Sequence, residues 1–437
     1  MSIQHASERT IVSLKLDKAD IAQSAMVAMS KVAAAPAGQK RLDAIKENFP
    51  CLLSAAPDPR DSSFTDLVKF PYDTLQLYQQ KENEKYFVVG DIHGDLESLV
   101  ACTDLTIEEC TKANADGRFV TPVLVVLGDL IDRGPDSAEC IAFLLRLALG
   151  KDEHRKELRI LLVRGDHDVA LRCLPDGRIS ATVQPAEFAE SFSSAEMREV
   201  KSTMIDAALA KCYMYFVRYC SPAAALFSNG ILLSHGAVPH TDLTNRFGMD
   251  LTPWAAPCAQ DFVWARMCPE YRRRGPNRSS KTTDMGKEDF CGFITTFNKL
   301  AIFQQTNRTF NVAPVSVFIH GHQHCESGYA KTQIEVPSLG QFEIHNVTSF
   351  ADRDSAGHIT TPPVLLELDG RNINPFCVEI ASSQEKMETN MSAPVINGEN
   401  GQNDFDSNPA PLSVGAHSVE VHRECSQKSL RTQNLSI

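Results

Sequence analysis

The sequence is poor in three things: paired cysteines, long apolar runs and positive charge. Its 13 cysteines are odd in number and scattered, with no C-x-x-C pair. A disulfide framework or zinc knuckle is therefore not expected, and a reducing, cytoplasmic setting fits best. No apolar run reaches the ~18 residues of a membrane-spanning helix. Residues 1–10 lack a basic segment followed by an apolar one, so no signal peptide is expected. Lys and Arg number 43 against 55 Asp and Glu, a net charge of −12. That excludes a general affinity for nucleic acid or anionic membrane, so basic residues need a local purpose such as a phosphate pocket. What remains is a chain of 437 residues, 43% hydrophobic, with room for one large domain and appendages or for two domains.

What is present is organised around residues 86–96, Tyr-Phe-Val-Val-Gly-Asp-Ile-His-Gly-Asp-Leu. An apolar run into glycine predicts a short buried strand and a tight turn, with Asp91 and His93 where the strand stops. In open α/β sheets, ligands bind at such carboxyl ends. The chain then repeats the pattern. Residues 122–127 predict a strand ending in Gly128-Asp129-Leu-Ile-Asp132-Arg133-Gly134, and residues 158–163 one ending in Arg164-Gly165-Asp166-His167-Asp168. The repeats are 38 residues (129 − 91) and 37 residues (166 − 129) long, which suits βαβ crossovers in one sheet. The intervening helix at 136–149 carries Asp136 and Glu139 at capping-box spacing.

Elsewhere, residues 19–35, 39–49 and 72–81 predict helices in an N-terminal extension without visible chemistry. Residues 185–220 predict two helices and 293–305 another. Two apolar runs around Ser228-Asn229-Gly230 predict a hairpin whose second strand ends at His235. Residues 315–320 predict a strand ending in Gly321-His322-Gln323-His324, and 342–347 and 363–368 late strands separated by a polar loop at 349–357. From residue 381 onward Asn, Ser, Gln, Glu and Pro dominate, which predicts a disordered tail.

Five strands thus end in Asp91/His93, Asp129, Asp166/His167, His235 and His322/His324. Mixed imidazole and carboxylate suits zinc, iron or manganese rather than calcium. A carboxylate such as Asp129 can bridge two cations, and paired cations clamp the attacking and leaving oxygens of a displacement at phosphorus.

Gly90-Asp-Ile-His-Gly, Gly128-Asp-Leu-Ile-Asp-Arg-Gly and Arg164-Gly-Asp-His-Asp resemble the signature motifs of the PPP-type phosphoprotein phosphatases, within the calcineurin-like metallophosphoesterases, and lie closer to the bacterial-type branch. The resemblance covers 86–380, including His235-Gly, Gly321-His322-Gln and the 349–357 loop. It implies a four-layer α/β/β/α sandwich with two mixed β-sheets. Residues 1–85 would be a helical extension, 86–380 the catalytic domain, 171–220 a helical insertion and 381–437 a disordered tail. Asp91, His93 and Asp129 would hold one metal, and Asp129, Asp166, His235 and His322 the second, with manganese expected in vitro and iron or zinc as alternatives. A bridging hydroxide would attack phosphorus. His167 would protonate the leaving oxygen, oriented by Asp132, and Arg133 would hold the phosphate. Arg266, in the Trp-x-Arg segment, is expected as a second phosphate arginine, with Arg272, Arg273, Arg274 and Arg278 as substitutes; it could equally cap a helix or pair with Asp261. His324 stands open between a ligand of the first metal and a structural histidine. His320, His345 and His358 are expected to be structural.

Two positions depart from the resemblance: Asp166 stands where asparagine is usual, and Asp168 where glutamate is frequent and some nucleotide-cleaving relatives have aspartate. A third Asp ligand with hydroxide would neutralise two divalent cations, which implies firmer metal retention and weaker attraction for a phosphate dianion. The expected activity is hydrolysis of phosphomonoesters on phosphorylated proteins, phosphoserine or phosphothreonine before phosphotyrosine. Alternatives are a dinucleoside-polyphosphate or other nucleotide hydrolase, and a pseudophosphatase that only binds. Regulatory partners would meet residues 1–85 and 171–220. Delivery into a host cell as a bacterial effector is the alternative to a cytoplasmic role.

Overall fold

The computed structural model describes residues 16–36, 39–55, 75–115, 117, 119–192, 201–239, 260–276, 283–305, 313–337, 339–353, 355, 359–380, 419–422 and 432–434. Two sheets face each other. One has six strands in the order Val419–His422, Asn372–Ile380, Val364–Asp369, Glu84–Val89, Thr121–Val126, Arg159–Leu162. The last three are parallel, as the repeated strand–helix spacing requires, and the first three pair antiparallel. The second has seven strands in the order Leu75–Tyr78, Ala224–Phe227, Ile231–Ser234, Val317–His320, Gly340–Val347, Tyr329–Val336, Thr432–Asn434.

Alternation along the strands decides the layers. Tyr86, Val88, Val123 and Val125 point inward against Phe227, Ile231, Leu233, Val317 and Ile319. Phe87, Val89, Leu124 and Val126 point outward into a helical layer built from Lys18–Ala34, Leu96–Ala115, Ser137–Ala148 and Lys201–Cys220. On the far side, Leu226, Leu232, Phe318 and Ile344 pack against Phe290, Phe293 and Ile294 of helix Lys287–Gln305. The result is helices, sheet, sheet, helix. Each fully buried Val, Leu, Ile or Phe side chain contributes ~1.5–3 kcal/mol, so the strand ends are held on a stiff support.

Several local expectations differ from the structure. Residues 75–78, expected within a helix at 72–81, form an edge strand parallel to Ala224–Phe227. Leu75 and Leu77 lean on the outer core while Tyr78 enters the inter-sheet core, so burial on two faces overrides helical periodicity. Asp136 precedes helix Ser137–Ala148 without a side-chain capping bond. Of the insertion, 171–173 and 179–181 form a hairpin, followed by helices Glu187–Glu190 and Lys201–Cys220. Two segments of the expected tail, 419–422 and 432–434, are strands that pair with an edge of each sheet, where unpaired backbone groups await partners. Ten cysteines among the described residues are free thiols, whereas Cys377 is disulfide-bonded.

The first helix of the extension is part of the core. Ile21, Ala25, Met29 and Val32 are buried in one cluster with Phe143, Leu209 and Phe216. Lys18 Nζ lies 2.7 Å from Glu139 and 2.8 Å from Asp206. No helix among the described residues is long and apolar enough to cross a membrane.

Candidate active site

Strands Glu84–Val89 and Thr121–Val126 run parallel, and the loops beyond them are tied together by backbone hydrogen bonds. The N–H groups of Ile92 and His93 both donate to the Asp129 carbonyl, at 3.0 and 2.8 Å, and Gly94 N–H donates to Leu130 at 2.9 Å. Strand Arg159–Leu162 brings the third loop alongside. A Cβ on Gly165 would sit 2.1 Å from Asp129 N and 2.2 Å from Asp129 Oδ1, so only glycine allows this approach. Five residues here adopt left-handed backbone: His93 (φ 47°), Asp129 (47°), Asp132 (68°), Arg133 (66°) and His322 (64°). Such conformations cost roughly 1–2 kcal/mol each for non-glycine residues and persist where the surroundings enforce them.

Among the described residues, the strand ends converge on two groups of side chains whose potential ligand atoms lie within 4.8 Å of one another, Asp129, Asp166, His235 and His322, and Asp91, His93 and His324, with a third combination, His93, Asp129 and His167, overlapping both. In the first, His235 Nε2 is 3.3 Å from Asp129 Oδ2, 3.3 Å from Asp166 Oδ1 and 3.2 Å from His322 Nδ1. In the second, Asp91 Oδ2 is 3.9 Å from His93 Nε2 and 3.6 Å from His324 Nε2. Donors each ~2.0–2.2 Å from one ion lie about 3–3.6 Å apart, which these separations approach. Asp129 Oδ2 joins the groups, since it is also 3.7 Å from His93 Nε2.

The electrostatics fit cations at both positions. Asp91 Oδ2 is buried without a hydrogen-bond partner. Burial and the neighbouring Asp166 carboxylate push Asp129 up to about 8. Burial lowers the His93 imidazole to about 3, which keeps it neutral, the form that binds metal. Against burial, the carboxylates of Asp129 and Asp91 hold His235 well above the usual histidine range. Two of these imidazoles are also oriented from behind. His93 Nδ1 bonds the Ile131 carbonyl at 3.0 Å and His235 Nδ1 the Leu127 carbonyl at 3.0 Å, leaving each Nε2 turned inward.

Beside these groups, His167 Nδ1 donates to Asp132 Oδ2 at 2.7 Å. Burial works against the charged imidazole, but the Asp132 bond and the charges of Asp129 and Asp166 outweigh it and raise His167 to about 9. Asp132 is itself fixed, because its Oδ1 accepts the Phe188 N–H at 3.0 Å and its N–H donates to Ser137 Oγ at 3.0 Å. The insertion therefore supplies part of the site. Arg133 N–H donates to Glu187 at 3.2 Å, while the Arg133 side chain is exposed. His167, raised by its partner, is charged below about 9 and loses its proton above it, as a general acid would require. Asp132→Asn should thus shift the alkaline limb of the pH–rate profile to lower pH and reduce kcat by about 10- to 100-fold; an unchanged limb would exclude His167 as the acid.

The structure brings together Asp91, His93, Asp129, Asp132, Asp166, His167, His235, His322 and also His324. Arg266 lies at the edge: its neighbours Ala265 and Met267 bond Ala237 (2.7 Å) and the Gln323 side chain (2.7 Å), and its own Nε is buried without a partner. Arg272 and Arg273 instead clasp Glu288. Arg278 and the rest of 277–281 lie outside the described residues, as does His358. His320 is buried and bonds the Gly321 carbonyl, and His345 is held between Tyr329 and Glu343.

Three residues make contacts that sequence reasoning did not give them. Asp168, expected to bear on substrate choice, is 1% exposed and accepts the N–H groups of Asp129 (2.9 Å), Leu130 (3.1 Å) and Gly165 (3.0 Å). Burial raises its carboxyl, while the neighbouring Tyr213 hydroxyl and these amides pull the other way. Ser349 ties the late loop to Gly90, and Phe350 packs against His93 and His324. Asp168 closes the third signature motif and Ser349 and Phe350 open the late loop, but those patterns do not say that Asp168 turns to three backbone N–H groups or that Phe350 packs on two imidazoles.

Two facing mixed sheets with Asp and His at five converging strand ends define a metallophosphoesterase centre. The chain belongs to the calcineurin-like phosphoesterase family, whose pattern matches residues 85–326. It is 33% identical over 98 residues to serine/threonine-protein phosphatase 1 of Salmonella typhimurium, covering 22% of this chain and 36% of that protein. It is 28% identical over 87 residues to the zinc-dependent endopolyphosphatase of Saccharomyces cerevisiae, covering 20% and 22%. The chain thus spans well under half the length of the curated relatives it matches. Among solved structures, it is similar to a protein serine/threonine phosphatase from Saccharomyces cerevisiae with similarity to human phosphatase PP5 (14% identity, TM-score 0.43, 82% of this chain and 90% of that one). Another is a cold-active protein-tyrosine phosphatase from a psychrophilic Shewanella (14%, TM-score 0.37, 74% and 87%).

Proposed function

We propose that this chain is a metal-dependent phosphoprotein phosphatase that hydrolyses phosphoserine and phosphothreonine monoesters. The observation that carries the reading is the position of Asp129 Oδ2, 3.7 Å from His93 Nε2 and 3.3 Å from His235 Nε2, where one oxygen can serve two cations. Asp91, His93, His324 and Asp129 would hold one ion, and Asp129, Asp166, His235 and His322 the other, with manganese as the ion to use in vitro. When bound, such ions supply Lewis-acid stabilisation of the phosphoryl oxygens and a water acidic enough to attack near pH ~7. His167 gives its Nε2 proton to the leaving serine or threonine oxygen, and Asp132 keeps that imidazole charged and aimed. Arg133, left-handed in backbone and exposed at the mouth, binds the phosphate oxygens. Arg266 is the second phosphate arginine in this reading. Residues 86–380 form the catalytic unit, and 1–85 with 171–220 offer the surfaces for regulatory partners.

Asp166 adds a carboxylate charge to the second group. Asp166→Asn should weaken retention of one ion about 10-fold and raise kcat/KM for a phosphate dianion severalfold. Chelator competition and steady-state kinetics measure the two effects, and no change in either refutes the charge argument. The function itself is tested by incubating the purified, manganese-loaded chain with phosphoserine, phosphothreonine and phosphotyrosine peptides and with a dinucleoside tetraphosphate. Faster release from the first two peptides is expected. Preference for the dinucleotide would replace the reading with a nucleotide hydrolase, and no hydrolysis of any substrate would leave only a binding role.

A further inference from the structure

Of the three imidazoles nearest Asp91, His324 is the one without an anchor. His93 and His235 each bond a backbone carbonyl through Nδ1. His324 makes no hydrogen bond through either ring nitrogen among the described residues, and its side chain is 33% exposed. Ligating histidines ordinarily depend on a bond at the second nitrogen to fix the ring. Yet His324 Nε2 is held 3.6 Å from Asp91 Oδ2.

What touches His324 is aromatic. Its ring centroid lies 4.9 Å from Phe350, edge to face at 69°. Phe350 meets His93 in the same manner, at 5.4 Å and 67°, and His93 meets His324 at 5.5 Å and 68°. The three rings form a closed triangle in the edge-to-face geometry that aromatic pairs prefer. Phe350 is not free to move away from it. On one side, Ser349 N–H donates to the Asp91 carbonyl at 3.1 Å, and Ser349 Oγ accepts the Gly90 N–H at 2.8 Å. On the other, Ala351 N–H donates to Asp95 Oδ2 at 2.9 Å. Asp95 is itself fixed at the start of helix Leu96–Ala115, where its Oδ1 accepts the Ser98 N–H at 3.0 Å. The loop is pinned to residues 90–95 on both sides of the aromatic ring, and residues 90–95 are the stretch that presents Asp91 and His93.

We propose that Phe350 is the positioning residue for His324, holding Nε2 toward Asp91 by ring packing as backbone carbonyls hold His93 and His235, so that His324 completes the first ligand group. This rests on the two-metal reading above. It also gives the late polar loop a task besides facing substrate.

The test is manganese binding by calorimetry and by chelator competition, alongside the melting temperature of the metal-free protein. Phe350→Ala should weaken the weaker of two manganese sites about 10- to 100-fold, with the metal-free melting temperature close to wild type. His324→Ala should weaken the same site by a similar factor. The double variant should be no worse than His324→Ala, because Phe350 acts through that ring. Phe350→Tyr, which keeps the aromatic edge, should restore binding, and Phe350→Leu guards against a fold defect by keeping apolar bulk and should fall between. Wild-type affinity in Phe350→Ala, or effects that multiply in the double variant, would overturn the proposal while leaving the two-metal reading intact. A wild-type chain that binds only one ion would overturn both.

Discussion

Asp129→Asn should lower kcat/KM for a phosphomonoester by about 10³-fold or more, which is ~4 kcal/mol of transition-state stabilisation. Its carboxylate lies between both candidate ligand groups, with one oxygen 3.7 Å from His93 Nε2 and 3.3 Å from His235 Nε2. An amide nitrogen or a neutral oxygen at that point removes the charge that, in the proposed two-metal reading, would face both cations. The same substitution leaves the fold supported, since Asp129 bonds Ile92 and His93 through its backbone carbonyl, and an asparagine side-chain oxygen can still accept the His167 N–H that Asp129 Oδ1 accepts at 3.0 Å. Metal content is therefore the informative companion measurement: manganese per chain should fall with activity while the metal-free melting temperature holds or rises. It can rise because burial and Asp166 push the Asp129 carboxyl up to about 8, so in the metal-free protein this charge is unfavourable. Full activity in Asp129→Asn would end the reading of Asp129 as a bridge.

The second large effect is structural. Asp168→Ala should lower the melting temperature by roughly 5–15 °C, because three buried N–H groups lose their acceptor and each costs ~1–3 kcal/mol when unpaired. Those groups belong to Asp129, Leu130 and Gly165, so the loops that carry Asp129 and Asp166 should separate and metal affinity should fall too. Asp168→Glu probes the same pin with a longer arm. If that variant hydrolyses dinucleoside polyphosphates and phosphopeptides in the wild-type ratio, aspartate at this position carries no substrate preference. That outcome is expected, since the carboxylate is 1% exposed and turned to backbone.

The expectations that held were those written in short, local patterns. A run of β-branched and aromatic residues ending in Gly-Asp-x-His-Gly marks both a buried strand and the side chains at its end, because burial on two faces demands the run and the turn demands the glycine. The hairpin around Ser228-Asn229-Gly230 was legible for the same reason and pairs antiparallel as expected. Residues 75–78 were not. Four residues cannot separate a helix turn from an edge strand, and the choice fell to Ala224–Phe227, a partner nearly 150 residues away. The 419–422 and 432–434 strands were illegible for a related reason, as a polar composition says nothing about an open sheet edge.

The candidate ligand side chains, their order and the family were thus contained in the chain as a string, since each sits at a strand end defined by its neighbours. Their relation to one another was not. That His324 stands with Asp91 and His93, that Asp132 takes an N–H from Phe188, and that Asp168 and Phe350 support the centre without facing it depend on contacts between distant segments. Packing of two sheets against each other decides those distances, because a side chain's partner across a fold is set by the summed burial of both layers and not by any residue beside it.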